Sequence, residues 1–144
     1  MEALNLISTL AIGLYAGSLL TEGMILVPYW RRMAPADFFR LHGEVGPGLF
    51  RYFAPLTAIA VTLAILAATM TSDPTTLRTI AAGLCMLALA IFFIYFRKAN
   101  ASFADHSLAE SNLGAELLRW SSWHWTRTIL VIAAFGASIG ADLW

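Results

Sequence analysis

Tyr52-Phe-Ala-Pro-Leu-Thr-Ala-Ile-Ala-Val-Thr-Leu-Ala-Ile-Leu-Ala-Ala-Thr-Met-Thr71 carries no charged side chain. A helix needs roughly 20 apolar residues to cross a hydrocarbon core ~30 Å thick. The stretch has no period-2 alternation and is dominated by Ala and Leu, so it reads as a membrane helix and not as a strand. Outward from it, Thr79 to Phe96 is also free of charge, and Leu4 to Trp30 is interrupted only by Glu22. A fourth apolar run, Thr128 to Ala141, is short by itself, but its pattern continues upstream through Trp120-Ser-Ser-Trp123-His124-Trp125. Its helix is expected to begin near Asn112 or Leu113, with its lower turns sheltered by protein.

Composition supports the same reading. Of 144 residues, 59% are hydrophobic and 12% charged, with mean hydropathy +0.71. Soluble domains average roughly 45–50% apolar and about 25% charged, so the excess must be buried against something other than water. Intrinsic disorder, a coiled coil and a soluble nucleic-acid binder are excluded on these grounds. Nine Lys+Arg balance nine Asp+Glu, leaving no basic surplus for phosphates. Cys85 is the one cysteine, placed mid-span for small apolar packing, and cannot form an internal disulfide. The first cation is Arg31, so the N-terminal run lacks the basic start of a cleavable signal and reads as a retained helix. Thr71-Ser-Asp-Pro-Thr-Thr76 reads as a tight turn, with Pro74 opening the third helix. Short connections between sequential helices predict an all-α, up-down four-helix transmembrane bundle, one domain over residues 1–144.

Arg31, Arg32, Arg40 and Arg51 surround the first connection and Arg97, Lys98, Arg119 and Arg127 the third; Arg78 alone lies on the other side. The positive-inside rule then places both connections in the cytoplasm and both termini outside, as in an integral protein of a bacterial inner membrane.

The chemistry-bearing side chains fall at the cytoplasmic ends of the spans: Glu22 and Tyr29, then His42 and Glu44, then Arg97 and Asn100, then Trp120, Trp123, His124 and Arg127. Antiparallel neighbours bring these ends together into a polar pocket within the bundle, expected to open toward the cytoplasm under the longer connections. An ionised carboxylate facing lipid costs at least ~2.5 kcal/mol, so Glu22 is expected to face inward, toward a cation, a metal or a proton. Arg127 and Arg97 are its candidate ion-pair partners. On a regular helix Tyr15, Ser18, Glu22 and Tyr29 share one stripe. Pro28 frees the Met24 carbonyl and is expected to kink the helix just past Glu22. Trp120, Trp123, His124 and Arg127 follow i, i+3, i+4, i+7 spacing and share a face. Trp offers stacking area, Arg an anion contact, and His an acid/base group or metal ligand, against the plainer reading of an interfacial aromatic belt. On a straight helix His42 and Glu44 would point about 200° apart. Gly43, Gly46, Pro47 and Gly48 argue against a straight helix there, and Glu44 is expected to pair with Arg40 or Arg51. Asn100 reads as interhelical glue or a binding group. Asp105 and His106 read as solvated. Gly13 and Gly17 form a small-xxx-small pair that offers a face to a neighbouring helix or to a second copy of the protein.

Three local patterns carry a family resemblance. They are Gly17-Ser18-Leu-Leu-Thr-Glu22-Gly23 running to Pro28-Tyr29-Trp30; Asp37-Phe38-Phe39-Arg40-Leu41-His42; and the Trp-x-x-Trp-His-x-x-Arg-Thr run from Trp120 to Thr128. The chain resembles the DUF1772 membrane proteins, which include the anthrone oxygenases of aromatic polyketide pathways. At the end of the third span the family often has an Asn-x-Pro-x-Asn-like segment, where this chain has Phe96-Arg97-Lys98-Ala99-Asn100 and keeps only the last Asn. The resemblance implies a four-helix membrane bundle and oxygenation of a phenolic or anthrone-like small molecule by O₂.

Two classes of function are consistent with these residues. In the enzymatic one, an aromatic substrate lies against Trp120 and Trp123 with Asn100 and Tyr29 as further contacts. His42 or His124 removes a phenolic proton, Arg127 stabilises the anion, and Glu22 orients a histidine. Alternatively His42, His124 and Glu22 together hold a non-haem metal, or one or both histidines hold a non-covalent haem. A cofactor-free oxygenase is the third form. In the non-enzymatic class the protein only binds a small molecule or serves assembly, and the polar cluster holds the bundle together.

Overall fold

In the computed structural model, residues 2–70 and 76–143 are described. The expected turn with Pro74 lies outside them. The described residues form four helices, each long and apolar enough to span a membrane: α1 (Glu2–Trp30), α2 (Pro35–Met70), α3 (Thr76–Ala104) and α4 (Glu110–Leu143). No strand occurs among the described residues. Each helix packs on its neighbours in sequence, and α1 closes on α4, as in an up-down bundle.

Three features depart from regular helices. α1 widens into a π-helical turn over Glu22–Leu26, where the Val27 N–H reaches the Glu22 carbonyl. Pro28 lies just beyond, so the expected distortion past Glu22 takes the form of an inserted residue. α3 does the same over Phe92–Phe96. α2 runs unbroken through Gly43, Gly46, Pro47, Gly48 and Pro55, against the expectation of a break. Helix propensity is a weak prior, and the packing of Phe38, Phe39, Leu41 and Leu49 on the aromatic core overrides it. α4 opens with a 3₁₀ turn, Glu110–Asn112, and becomes α-helical at Leu113, where the sequence placed its start.

The core has two parts of different grain. Toward the termini, Ala60, Ala64, Ala81, Ala88 and Ala134 surround Ile12, Leu19 and Val131. Small residues let the helix backbones approach closely. Toward the first and third connections the core is aromatic: Trp30, Phe38, Phe39, Phe96, Phe103 and Trp120. These large rings hold the helices apart, and a cavity opens there. Gly13 of the small-residue pair is filled from within, since a Cβ there would lie 2.7 Å from the Phe135 ring; Gly17 meets nothing within 4 Å.

A polar clasp joins α1, α3 and α4 near the termini. Arg78 donates to Asp142 Oδ1 (2.9 Å) and to the Ala141 carbonyl (3.1 Å). Thr9 donates to Asp142 Oδ2 (2.7 Å) and shares a hydrogen bond with Ser138 (2.6 Å).

Candidate functional site: an aromatic cavity with a buried ion pair

A cavity of about 860 Å³ lies among all four helices, within the range of small-molecule sites. Its walls are mostly aromatic and apolar, from Trp30, Phe38, Phe53, Phe96, Phe103 and Trp120. Its polar groups come from Tyr15, Glu22, His42, Thr57, Asn100 and Arg127.

Glu22 and Arg127 set the deeper end. Both are buried, and their charges approach to 3.5 Å (Arg127 Nη2 to Glu22 Oε2). The same Nη2 lies 3.1 Å from His124 Nδ1, and His124 Nε2 lies 2.9 Å from the Leu19 carbonyl. A guanidinium only donates, so Nδ1 accepts and Nε2 carries the proton toward Leu19. The 3.5 Å approach of Nδ1 to Glu22 Oε2 is then two acceptors gathered around one donor, not an ion pair. Arg127 also lies over the Phe96 ring, 4.3 Å from its centroid, so the cation has an aromatic face as well as a carboxylate.

His124 is completely buried and stacks on Trp120, with centroids 5.1 Å apart and planes 8° from parallel. Trp120 in turn donates its indole N–H to Asn100 Oδ1 (2.9 Å) and meets Trp30 and Phe96 edge-on. The order from the core outward is therefore His124, Trp120, cavity. Gly23 makes the innermost layer fit, because a Cβ there would stand 3.0 Å from His124 Nε2.

His42 sits at the other end, on α2. Its ring lies 5.7 Å from Phe38 and 5.4 Å from Phe103. Gly46, one turn on, leaves room for it: a Cβ there would come within 3.3 Å of the imidazole. Four buried polar atoms on cavity-lining residues, Tyr15 OH, Glu22 Oε2, His42 Nδ1 and Arg127 Nε, make no hydrogen bond among the described residues. Buried polar atoms are nearly always hydrogen-bonded, so four on the residues around one cavity set its lining apart from an ordinary apolar core.

Several expected site residues stand elsewhere. Tyr29 is exposed, at 57% of its full surface. The π-turn before it inserts a residue and shifts the helical register by about 100°, taking Tyr29 off the stripe of Tyr15 and Glu22. Trp123 stacks on Tyr95 of α3, 5.5 Å away and 19° from parallel, and does not line the cavity. His124 holds Arg127 from behind and does not line the cavity either. The expected metal triad does not assemble: among the described residues no group of three His, Cys, Asp or Glu is placed to hold a metal ion. Glu22 and His124 meet, but His42 faces Phe38 and Phe103. Arg97 is exposed, and Arg127 is the cation that meets Glu22. Glu44 is exposed on the continuous helix, and Arg40 bridges to Asp37 at 2.8 Å. Asp105 and His106 are exposed, as expected. The Ser107 N–H donates to Asp105, holding that carboxyl below its usual range.

Tyr15, Thr57, Trp30, Phe38, Phe96 and Phe103 complete the cavity. Of these Tyr15 stood out in the sequence through its stripe with Glu22, and Trp30, Phe38 and Phe96 only as members of the quoted local patterns; Thr57 and Phe103 carried no signal. No family model, curated protein or solved structure matches this chain.

Proposed function

We propose that the protein holds a flat phenolic molecule in this cavity and oxidises it with dioxygen, as the resemblance to anthrone oxygenases implies. The observation that carries the proposal is an aromatic cavity whose lining holds the buried Glu22–Arg127 pair together with Tyr15 and His42. Aromatic walls suit a fused ring, Arg127 at the deeper end suits an oxygen anion there, and His42 at the other end suits a proton from the opposite edge of the same ring system. Glu22 balances Arg127 while the site is empty of substrate charge. His124 and Trp120 are positioning residues that fix Arg127 and the ring wall. The carbanion-like form of an anthrone reduces O₂; the carbon gains one oxygen as a carbonyl, and the other leaves as water with the two hydrogens of the methylene.

A non-haem metal does not fit these residues, since the ligand set does not converge. A bis-histidine haem does not fit either, because both His124 nitrogens are engaged and the ring is behind Trp120. The bilayer is the surrounding partner, with the first and third connections taken as cytoplasmic.

Oxygen uptake by purified protein with a hydroxylated anthrone tests the reaction. The expected result is one O₂ per anthrone above the protein-free rate, with His42→Ala losing about 10²-fold or more while still binding, the usual scale for a removed general base. Uptake equal to the protein-free rate would reject the oxygenase. A second reading, a binding protein without turnover, is favoured by His124, whose contacts serve the bundle alone; it predicts saturable anthrone binding with no added uptake.

A further inference from the structure

The cavity has a long side. Along α2 its lining runs from Gly43 through Phe50 to Ala58, and along α3 from Phe93 through Ala101 to Ala104. All six are exposed, Phe50 and Phe93 each at 60%, whereas the lining residues of α1 and α4 are buried. Residues that line a cavity and also face outward are its rim. Fifteen residues separate Gly43 from Ala58, about 22 Å of helix at 1.5 Å per residue. The part of both rims of this slot inside the charge-free spans, Phe53 to Ala58 on α2 and Leu89 to Phe96 on α3, faces lipid, while Gly43, Phe50, Ala101 and Ala104 lie toward the charged ends that carry Glu44, Arg51, Arg97 and Lys98. Behind the slot, α1 and α4 supply the back wall with Tyr15, Glu22, Trp120 and Arg127.

Two backbone features keep the slot open. α3 takes its π-turn at Phe92–Phe96, which turns Phe93 outward while Phe96 stays buried under Arg127. On α2 the rim is built from Gly43 and Gly46 with Pro47, residues that leave no bulk between the helices.

Resting on the proposed binding of a phenolic ring in the cavity, we infer that the natural ligand is a lipid-phase amphiphile: a phenolic ring with a long hydrocarbon chain that enters sideways between α2 and α3. The ring reaches Glu22 and Arg127, and the chain lies along the slot against Phe50 and Phe93. A water-soluble phenol would need no opening of that length or apolarity. A chain in the slot covers rim surface that the bundle leaves open, and each buried CH₂ contributes roughly 0.8 kcal/mol where it replaces water, less where it replaces lipid.

The test uses the full chain in liposomes with two probes, a phenol bearing a fifteen-carbon chain and the same phenol bearing a methyl group, each at matched concentration in the membrane. The expected result is at least ten-fold tighter binding of the long-chain probe. Ala58→Trp and Ala101→Trp, separately, should reduce that preference to less than three-fold. Equal affinities, or equal loss for both probes, would overturn the slot while leaving ring binding in the cavity intact. Binding of neither probe would overturn both. Binding of both with the expected preference but no O₂ uptake would support the slot and reject the oxygenase alone. A long-chain phenol with a photoreactive terminal carbon needs no variant: its label should fall in residues 43–58 and 89–104, and labelling spread evenly over all four helices would overturn the assignment.

Discussion

A methyl group at position 23 has nowhere to go. It would stand 3.0 Å from His124 Nε2 and 3.3 Å from the Trp125 ring, and both rings are held by the π-turn and by α4. Gly23→Ala should therefore push His124 off the Leu19 carbonyl, costing about 1–3 kcal/mol, the range for overpacking a filled core. Gly17→Ala, with nothing within 4 Å, should leave the melting temperature unchanged or raise it slightly. Thermal unfolding in detergent separates the two; equal effects would mean that His124 adapts freely. Arg127→Lys gives a second check at the same place. The ammonium keeps the charge but loses the planar group that meets Phe96, Glu22 and His124 together, so ligand affinity should fall about ten-fold or more with the bundle still folded. The spacing of Glu22 and the Trp120–Arg127 run made this cluster legible. The order of its layers was not, because Trp123 lies 100° from His124 on the helix and finds Tyr95 of α3, a partner no single-helix spacing reveals.

Among the helices, the π-turns do most to set the site. The turn at Glu22–Leu26 rotates the last residues of α1, so that Trp30 meets Trp120 edge-on at 5.7 Å and Tyr29 faces out. Deleting Met24, an exposed residue of that turn, should restore α-helical register, withdraw Trp30 from the core and cost on the order of 3–5 kcal/mol, as for loss of a buried aromatic. The near-UV circular dichroism of the tryptophans should weaken with it; an unchanged spectrum and melting curve would show that the extra residue is not needed. Two helices were readable from charge-free runs of membrane length, α1 from a run broken only by Glu22, and α4 from a shorter run with its aromatic extension upstream. Continuity of α2 through Gly43–Gly48 was not, because propensity counts against it while tertiary packing of Leu41 and Leu49 on the aromatic core holds it. The inserted residues at 22–26 and 92–96 leave no periodic trace; Pro28 signals a distortion but not its kind.

The whole molecule joins a tight alanine-rich end to a wide aromatic one, and the Arg78–Asp142–Thr9 clasp ties the tight end. Arg78→Met should destabilise the bundle by about 1.5–3 kcal/mol, the scale of hydrogen bonds to charged groups, without changing ligand affinity. Loss of affinity in step with stability would mean that the two ends are coupled. Orientation rests on the cation count, and single cysteines test it: Glu2→Cys should react with an impermeant thiol reagent in intact cells and Asp105→Cys should not, with buried Cys85 silent in both. The central claim is that the cavity between the four helices receives a phenolic ring at Glu22 and Arg127. Calorimetric titration of the purified protein with a hydroxylated anthrone, without oxygen so that no turnover intervenes, tests it most directly. One ring per chain, bound saturably and at least ten-fold more weakly by Arg127→Lys, is the expected result; no saturable binding, or full affinity in the variant, would contradict it.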